Sequence, residues 1–184
     1  KARGDWETQG KMIVAAAQSL ERGGADFVLL ATNTMHRFAD DVLAALNIPF
    51  LHLADTSAER IKASGLKRIA LLGTAYTMEQ DFYKKRLSLH GIEPLVPDVA
   101  GRAQVHTIIY DELCRGNVRD QSRVVYQSII ADLLGQGAQG VILGCTEITM
   151  LIGPQDVSCP VFDTTQIHID QAAAFAFDEQ AVAA

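Results

Sequence analysis

Short apolar runs alternate along the chain with longer segments in which apolar residues recur every three or four positions. Residues 27–31 and 141–143 are continuous apolar runs, typical of parallel strands covered on both faces. Residues 12–20 have helical spacing and end at two glycines. By the same criteria we predict strands at residues 50–53, 68–72, 92–96 and 161–162, and helices at residues 38–46, 55–64, 76–90, 105–113, 121–134 and 166–180. This alternation predicts a parallel α/β fold with right-handed crossovers.

An internal repeat divides the chain into two related parts. Residues 24–32 align without gaps on residues 137–145, and residues 48–51 parallel residues 159–162. A strand, a loop, a helix and the next strand therefore recur in the same order, which indicates two pseudo-symmetric, Rossmann-like parallel-sheet halves with the active site between them.

The second half has two strands before its repeated strand, and their counterparts would precede Lys1. We therefore expect the N-terminal strands of the first half to lie in a preceding segment of roughly 50 residues, absent from this sequence. The predicted first half covers residues 1–55, with the C-terminal helix, residues 164–184, packing on it. The predicted second half covers residues 56–163.

Thr32 and Cys145 occupy equivalent positions at the ends of the repeated strands. Ligands of parallel α/β sheets bind beyond the carboxyl ends of the strands, so both side chains are expected to face one cleft. Such a pair suits inversion of a carbon next to a carboxylate, in which one group removes the α-proton and the other returns a proton to the opposite face. We expect the helix after Glu147 to lower the pKa of Cys145 through its N-terminal dipole.

Other polar residues of the two loops are candidates for substrate binding. Asn33, Thr34 and Thr146 are expected to hold the carboxylate and to stabilise the carbanion, although Asn33 and Thr34 equally suit a turn. For others the sequence leaves two roles open: Thr32 also suits a helix cap, Glu147 suits a helix cap or a substrate contact, and His36 suits a substrate contact or a structural hydrogen bond.

The remaining composition excludes several classes of function. A net charge of -6 without any basic cluster argues against nucleic acid or an anionic membrane as the partner. The apolar runs are too short to span a bilayer and no signal-peptide pattern is present, so we expect a cytoplasmic protein. Three cysteines without C-x-x-C spacing suggest neither disulfides nor a zinc site, and Cys114 and Cys159 are expected to pack on apolar faces.

Residues 31–36 (ATNTMH) and 144–148 (GCTEI) resemble the two signature loops of the aspartate/glutamate racemase family. The resemblance extends to residues 71–74, 76–78, 108–113 and 160–164 and so covers essentially the whole chain. It implies an amino-acid racemase that interconverts L- and D-aspartate or glutamate without pyridoxal phosphate, metal or other cofactor, usually as a homodimer. It also implies a substrate contact at Thr74.

One departure from the family pattern concerns the first loop, where the family commonly has cysteine and this chain has Thr32. The pair resembles the branch of L-aspartate/glutamate-specific racemases that combine threonine with cysteine. Because a hydroxyl is a poorer base than a thiol, we expect unequal turnover of the two enantiomers. Alternatives are a single-cysteine relative, such as an arylmalonate decarboxylase or a maleate isomerase, and a catalytically inactive homologue that binds a dicarboxylate.

Overall fold

Helices and strands alternate along residues 5–177, the part of the chain that the computed structural model describes. The helices are α1 (Trp6–Arg22), α2 (Ala39–Ala45), α3 (Leu53–Ala63), α4 (Ala75–Glu79), α5 (Asp81–Leu89), α6 (Val99–Thr107), α7 (Asp120–Gly135) and α8 (Thr164–Phe177). The strands are β1 (Val28–Leu29), β2 (Phe50–Leu51), β3 (Arg68–Gly73), β4 (Glu93–Leu95), β5 (Val141–Gly144) and β6 (Val161–Asp163). Further turns are the 3₁₀ segments Thr34–Phe38, Leu113–Arg115 and Ile148–Met150 and the π-helical segment Ile108–Glu112.

Two parallel sheets confirm the predicted α/β class. Strands β1 and β2 pair with each other, and the second sheet has the order β4-β3-β5-β6. The internal repeat reappears in the strand register, because Val28 pairs with Phe50 as Val141 pairs with Val161. The backbone N–H of Val28 donates to the carbonyl of Pro49 at 2.9 Å, and its counterpart Val141 donates to Pro160 at 2.9 Å.

The four-stranded sheet is buried on both faces by two hydrophobic clusters. Ile69 and Leu71 of β3 pack on one face with α3 and α5, whereas Ala70 and Leu72 pack on the other with α6 and α7. All four of these side chains are fully buried. This arrangement explains why the strands lack an alternation of apolar and polar residues.

Some element boundaries differ from the sequence prediction. The helix predicted at residues 76–90 is interrupted at Gln80, whose ψ of 152° is extended. The interruption lets Met78 pack with α6 and α7 while Tyr83 packs with α3 on the opposite face, a change of side that one straight helix would not allow. The helix predicted from residue 105 begins at Val99, because the Asp98 side chain caps it by accepting from the N–H of Gly101 at 2.7 Å.

Helix α8 packs on α3 and along β5 and β6, and Phe175 of α8 contacts Phe27 with ring centroids 5.0 Å apart. The division into halves at residues 55/56 and 163/164 stays a prediction, and residues 1–4 and 178–184 of the predicted halves lie outside the described residues. Within the described residues, no helix combines the length and the hydropathy needed to cross a membrane.

The ends of β3 and β5 approach each other closely because both end in glycine. Gly73 pairs with Gly144 in register. A Cβ on Gly144 would lie 2.8 Å from the carbonyl oxygen of Leu72, and a Cβ on Gly73 would lie 2.9 Å from the carbonyl oxygen of Gly144. Neither glycine has a positive φ, so the constraint is one of space. The contact brings the next residues, Thr74 and Cys145, to the same edge of the sheet.

We therefore expect Gly144→Ala to lower the free energy of unfolding by about 1–3 kcal/mol, because the added methyl group meets backbone atoms. Gly135→Ala is the matched control: a Cβ at this last residue of α7 meets no atom within 4 Å. We expect the control to be neutral or stabilising by up to about 1 kcal/mol. Urea unfolding monitored by circular dichroism measures both changes, and an unchanged midpoint for Gly144→Ala would contradict the spatial constraint.

Candidate active site

A cavity of about 80 Å³ opens at the carboxyl ends of β3 and β5. Its lining residues are Thr32, Asn33, Thr34, Thr74, Ile109, Tyr110, Cys114, Gly144, Cys145, Thr146 and Glu147. The lining includes the two predicted catalytic residues and the five predicted substrate-binding residues, but not His36. The two ends of the internal repeat, Thr32 and Cys145, therefore share one cavity, as the repeat predicted.

Three threonine hydroxyls join the first loop to the four-stranded sheet. The hydroxyl of Thr34 lies 3.1 Å from that of Thr74 and 3.4 Å from that of Thr77, and the last two are 3.3 Å apart. Thr74 follows β3 and caps α4, since its hydroxyl accepts from the N–H of Thr77 at 3.4 Å. The Thr34 loop is thereby held against the end of β3, and all three threonines are buried.

Asn33 presents an acceptor without a partner. Its side chain is 3% exposed, and its Nδ2 donates to the hydroxyl of Thr164 at 3.1 Å. The orientation of the amide is set by the network, because the Thr164 hydroxyl uses its own proton to bond the carbonyl of Leu143 at 2.9 Å. The buried Oδ1 of Asn33 has no hydrogen-bond partner among the described residues. A ligand N–H or ammonium group can supply one.

The thiol of Cys145 is a hydrogen-bond donor to a neighbouring carboxylate. Its Sγ donates to Oε2 of Glu147 at 2.9 Å, and the Thr146 hydroxyl donates to the same oxygen at 2.7 Å. Burial, the hydrogen bond to Glu147 and the charge of its carboxylate together raise the pKa of Cys145 to about 12, with burial as the largest cause. The free protein therefore holds a protonated thiol at neutral pH.

This raised pKa shows that the expected activation of Cys145 by a helix N-terminus is wrong. The segment after Glu147 is a 3₁₀ turn of only three residues, Ile148–Met150. Such a turn has too few aligned peptide dipoles to offset burial and an adjacent carboxylate.

Glu147 is ionised in this arrangement. Burial alone would raise its pKa, but hydrogen bonds from Cys145, Thr146 and Cys114 outweigh burial and lower it. Glu147 makes no side-chain cap to the following turn. Of the two roles left open by the sequence, the structure therefore rules out the cap and places the carboxylate against the thiol of Cys145.

Tyr110 and Cys114 also line the cavity, and sequence reasoning did not select them. Tyr110 lies on the π-helical turn and contacts the ring of His106 with centroids 4.7 Å apart. Cys114 is exposed and bonds the carboxylate of Glu147, so the expectation that it packs on an apolar face is wrong. No signal in the sequence marks the π turn that brings both residues to the cavity. The packing expected for Cys159 is confirmed, since it lies against the core cluster beside α7.

Thr32 lacks an activating group. Its side chain is half-buried, and its hydroxyl has no hydrogen-bond partner within residues 5–177. Asn33, not Thr32, begins the following 3₁₀ turn, so Thr32 does not act as its cap. In the described part of the chain, no group of three or more histidine, cysteine or acidic side chains is arranged to hold a metal ion.

The chain is similar in sequence and in structure to several racemases. Residues 1–172 match the model of the Asp/Glu/hydantoin racemase family. A crystal structure of a Yersinia pestis protein assigned to the Asp/Glu racemases is similar with 50% identity and a TM-score of 0.90, covering 96% of this chain and 77% of that one. The broad specificity amino-acid racemase RacX of Bacillus subtilis is 26% identical, over 88% of this chain and 69% of RacX. The match to a Streptococcus pyogenes glutamate racemase, 29% identical, covers 67% of this chain and spans only 46% of that enzyme.

The raised pKa of Cys145 predicts its reactivity in the free protein. Alkylation of Cys145 by iodoacetamide should be slow at pH 8 and should rise about tenfold per pH unit below a pKa of about 12, since only the thiolate reacts. Glu147→Gln removes the charge that opposes the thiolate and should accelerate alkylation at pH 8. Mass spectrometry of the Cys145 peptide measures both rates.

Glu79→Gln is the matched control for this experiment, because Glu79 bonds Arg102 and does not line the cavity. It should leave the alkylation rate of Cys145 unchanged. If Glu147→Gln slowed the reaction or had no effect, the carboxylate would not be the group that keeps the thiol protonated.

Proposed function

The chain belongs to the Asp/Glu/hydantoin racemase family, a family of isomerases, and we propose that it interconverts the L and D forms of aspartate or glutamate. The observation that supports the proposal most directly is the shared cavity of Thr32 and Cys145, the equivalent ends of the repeat. Racemisation needs one proton-transfer group on each face of the α-carbon, and these residues supply a thiol and a hydroxyl.

We propose that the α-ammonium group of a bound amino acid adds a positive charge to the cavity. The α-ammonium group would lie between the carboxylate of Glu147 and the partnerless Oδ1 of Asn33, the two acceptors of the lining that are described above. The hydroxyls of Thr34 and Thr74 would donate to the α-carboxylate, and that of Thr146 would do so on exchanging its bond to Glu147 for one to the substrate. A charge-assisted hydrogen bond is about twice as strong as a neutral one, which favours this orientation.

Cys145 is proposed to act in two protonation states. As the thiol it returns a proton to the carbanion on its face. To act as the base, it first transfers its proton to Glu147, the carboxylate 2.9 Å away. The substrate ammonium stabilises the resulting thiolate, because a nearby positive charge lowers the pKa of a thiol.

Thr32 is proposed to serve the other face, and more slowly. A hydroxyl without a neighbouring base donates a proton to a carbanion more readily than it removes one from a carbon acid. One enantiomer, the one whose α-hydrogen faces Cys145, should therefore be deprotonated faster than the other.

We further propose that the reaction needs neither pyridoxal phosphate nor a metal ion, since both proton transfers are assigned to side chains of this chain. We also propose a cytoplasmic location, as expected from the sequence, and a homodimer, which rests on the family resemblance alone. Light scattering of the intact protein tests the dimer, and activity retained after dialysis against a chelator tests the absence of a metal requirement.

Exchange of the α-proton in deuterium oxide tests the proposed reaction on L- and D-aspartate and L- and D-glutamate. The intact protein should exchange the α-proton of one of these pairs, faster for one enantiomer. Cys145→Ser should reduce exchange by a factor of about 100 or more, because general acid–base catalysis is lost on its face. Thr32→Cys should make the two enantiomers exchange at more equal rates. Nuclear magnetic resonance follows the loss of the α-proton signal.

Two further measurements, made alongside the exchange experiment, separate the alternatives. Release of carbon dioxide from a substituted malonate, without exchange of any amino acid, would favour an arylmalonate decarboxylase-like activity. Tight binding of a dicarboxylate without exchange, unaffected by Cys145→Ala, would favour an inactive binding protein. Exchange that survives Cys145→Ser would rule out the proposed mechanism.

A further inference from the structure

Behind the cavity, three buried histidines meet where the first loop contacts α3 and α8. The ring of His36 lies 4.6 Å from that of His52 and 6.1 Å from that of His168, centroid to centroid. His36 is 2% exposed and does not line the cavity. It therefore cannot contact the substrate, and the structural alternative left open by the sequence is the correct one.

Both ring nitrogens of His36 are used, and they join two different parts of the molecule. Nδ1 lies 2.8 Å from the carbonyl oxygen of Thr32, and Nε2 accepts from the backbone N–H of Leu53 at 3.1 Å. Because a backbone N–H can only donate, Nε2 is the acceptor and the ring proton resides on Nδ1, which donates to Thr32. Burial, followed by the neighbouring His52, lowers the pKa of His36 to about 3, so this neutral tautomer persists at physiological pH.

The Leu53 end of this connection is rigid. Leu53 is the first residue of α3, is 2% exposed, and packs with Ile69 and Leu71 of β3 in the core of the four-stranded sheet. His36 thus fastens the Thr32 carbonyl to α3, which packs on the four-stranded sheet that carries Cys145.

Thr32 has few other attachments. Its N–H bonds the carbonyl of Leu30 within the same loop at 2.9 Å. Asn33 and Thr34, the next residues of the loop, are tied to Thr164 and Thr74 at the edge of the four-stranded sheet. Within residues 5–177, the His36 bond is the connection that reaches Thr32 itself from outside its own strand.

We propose that His36 is a positioning residue for Thr32: by holding the Thr32 carbonyl, it sets where the Thr32 hydroxyl lies relative to Cys145 across the cavity. This inference rests on the proposed racemase function. It predicts that His36 matters for proton transfer on one face of the substrate only, whereas a purely structural role would affect both faces equally.

Two conservative substitutions separate the two hydrogen bonds of His36. The amide of glutamine reaches the position of Nε2 and can accept from Leu53, but it leaves the Thr32 carbonyl without its donor. The shorter amide of asparagine places a donor near Nδ1 and can keep the bond to Thr32. His52→Gln is the matched control, because this neighbouring buried histidine bonds the N–H of Ala54 and not Thr32.

The substitutions are tested in the Thr32→Cys protein, in which both faces of the substrate have a thiol. α-Proton exchange of the L and D enantiomers is measured in deuterium oxide, together with the thermal midpoint of each variant. His36→Gln should lower the exchange of one enantiomer about tenfold or more and leave the other within about twofold, since a small misplacement of a reacting group costs up to about a hundredfold in rate. His36→Asn should recover most of the loss, and His52→Gln should leave the ratio of the two rates unchanged.

The outcomes distinguish this inference from the function on which it rests. If Thr32→Cys alone does not make the exchange of the enantiomers more equal, the proposed pairing of Thr32 with Cys145 fails and the role of His36 fails with it. If Thr32→Cys behaves as expected but His36→Gln lowers both enantiomers equally, or lowers only the thermal midpoint, His36 is structural and the inference is overturned. Should His36→Gln fail to fold, His36→Met, which cannot donate to the Thr32 carbonyl, takes its place. An unequal loss in His36→Met that is not seen in His52→Met supports the inference, and an equal loss overturns it.

Discussion

The close pairing of Gly73 with Gly144 is the constraint on which the site depends. The ends of β3 and β5 leave no room for a Cβ, since a methyl group on either glycine would lie within 3 Å of a backbone carbonyl oxygen. The residues that follow, Thr74 and Cys145, then emerge from the same edge of the sheet. The loop of the first half is attached to this edge by the hydroxyls of Thr34 and Thr74. The position of the cavity therefore depends first on the close approach of the two strand ends, and its chemistry on the side chains that follow them.

Much of this arrangement could be predicted from the sequence because it depends on periodicity and repetition. The apolar runs predict buried parallel strands, and the repeat predicts that Val28 and Val141 have equivalent pairings, which the strand register reproduces. The repeat also brings Thr32 and Cys145 to one cavity. The interruption at Gln80 could not be predicted, because it serves to bury Met78 and Tyr83 on opposite faces of a sheet whose layout the local sequence does not encode. The π turn that carries Tyr110 and precedes Cys114 likewise has no signal in the sequence.

The electrostatics of the site were the least predictable property. The sequence places Glu147 two residues after Cys145, a spacing that does not reveal whether the carboxylate faces the thiol or caps the next turn. The structure shows the first arrangement, with Cys145 donating to Glu147. Its effect on the thiol is opposite to that of a helix dipole, because a negative charge opposes the thiolate. The carboxylate beside the sulfur helps to keep the thiol protonated, which slows its alkylation and oxidation.

Different groups stand behind the two proton-transfer residues: the Glu147 carboxylate accepts from the thiol of Cys145, and His36 holds the carbonyl of Thr32. The two sides of the cavity therefore differ in physical character. Cys145 has an adjacent acceptor for its proton, so its reactivity varies with the charge in the cavity. Thr32 has no such acceptor among the described residues, and what the structure provides for it is a fixed position through the bond from His36 to its carbonyl. A weak acid–base group gains most from fixed geometry, since it cannot gain from a tuned pKa. The buried neutral imidazole behind Thr32 therefore suits a proton donor that must be in place when a short-lived carbanion forms on the opposite side.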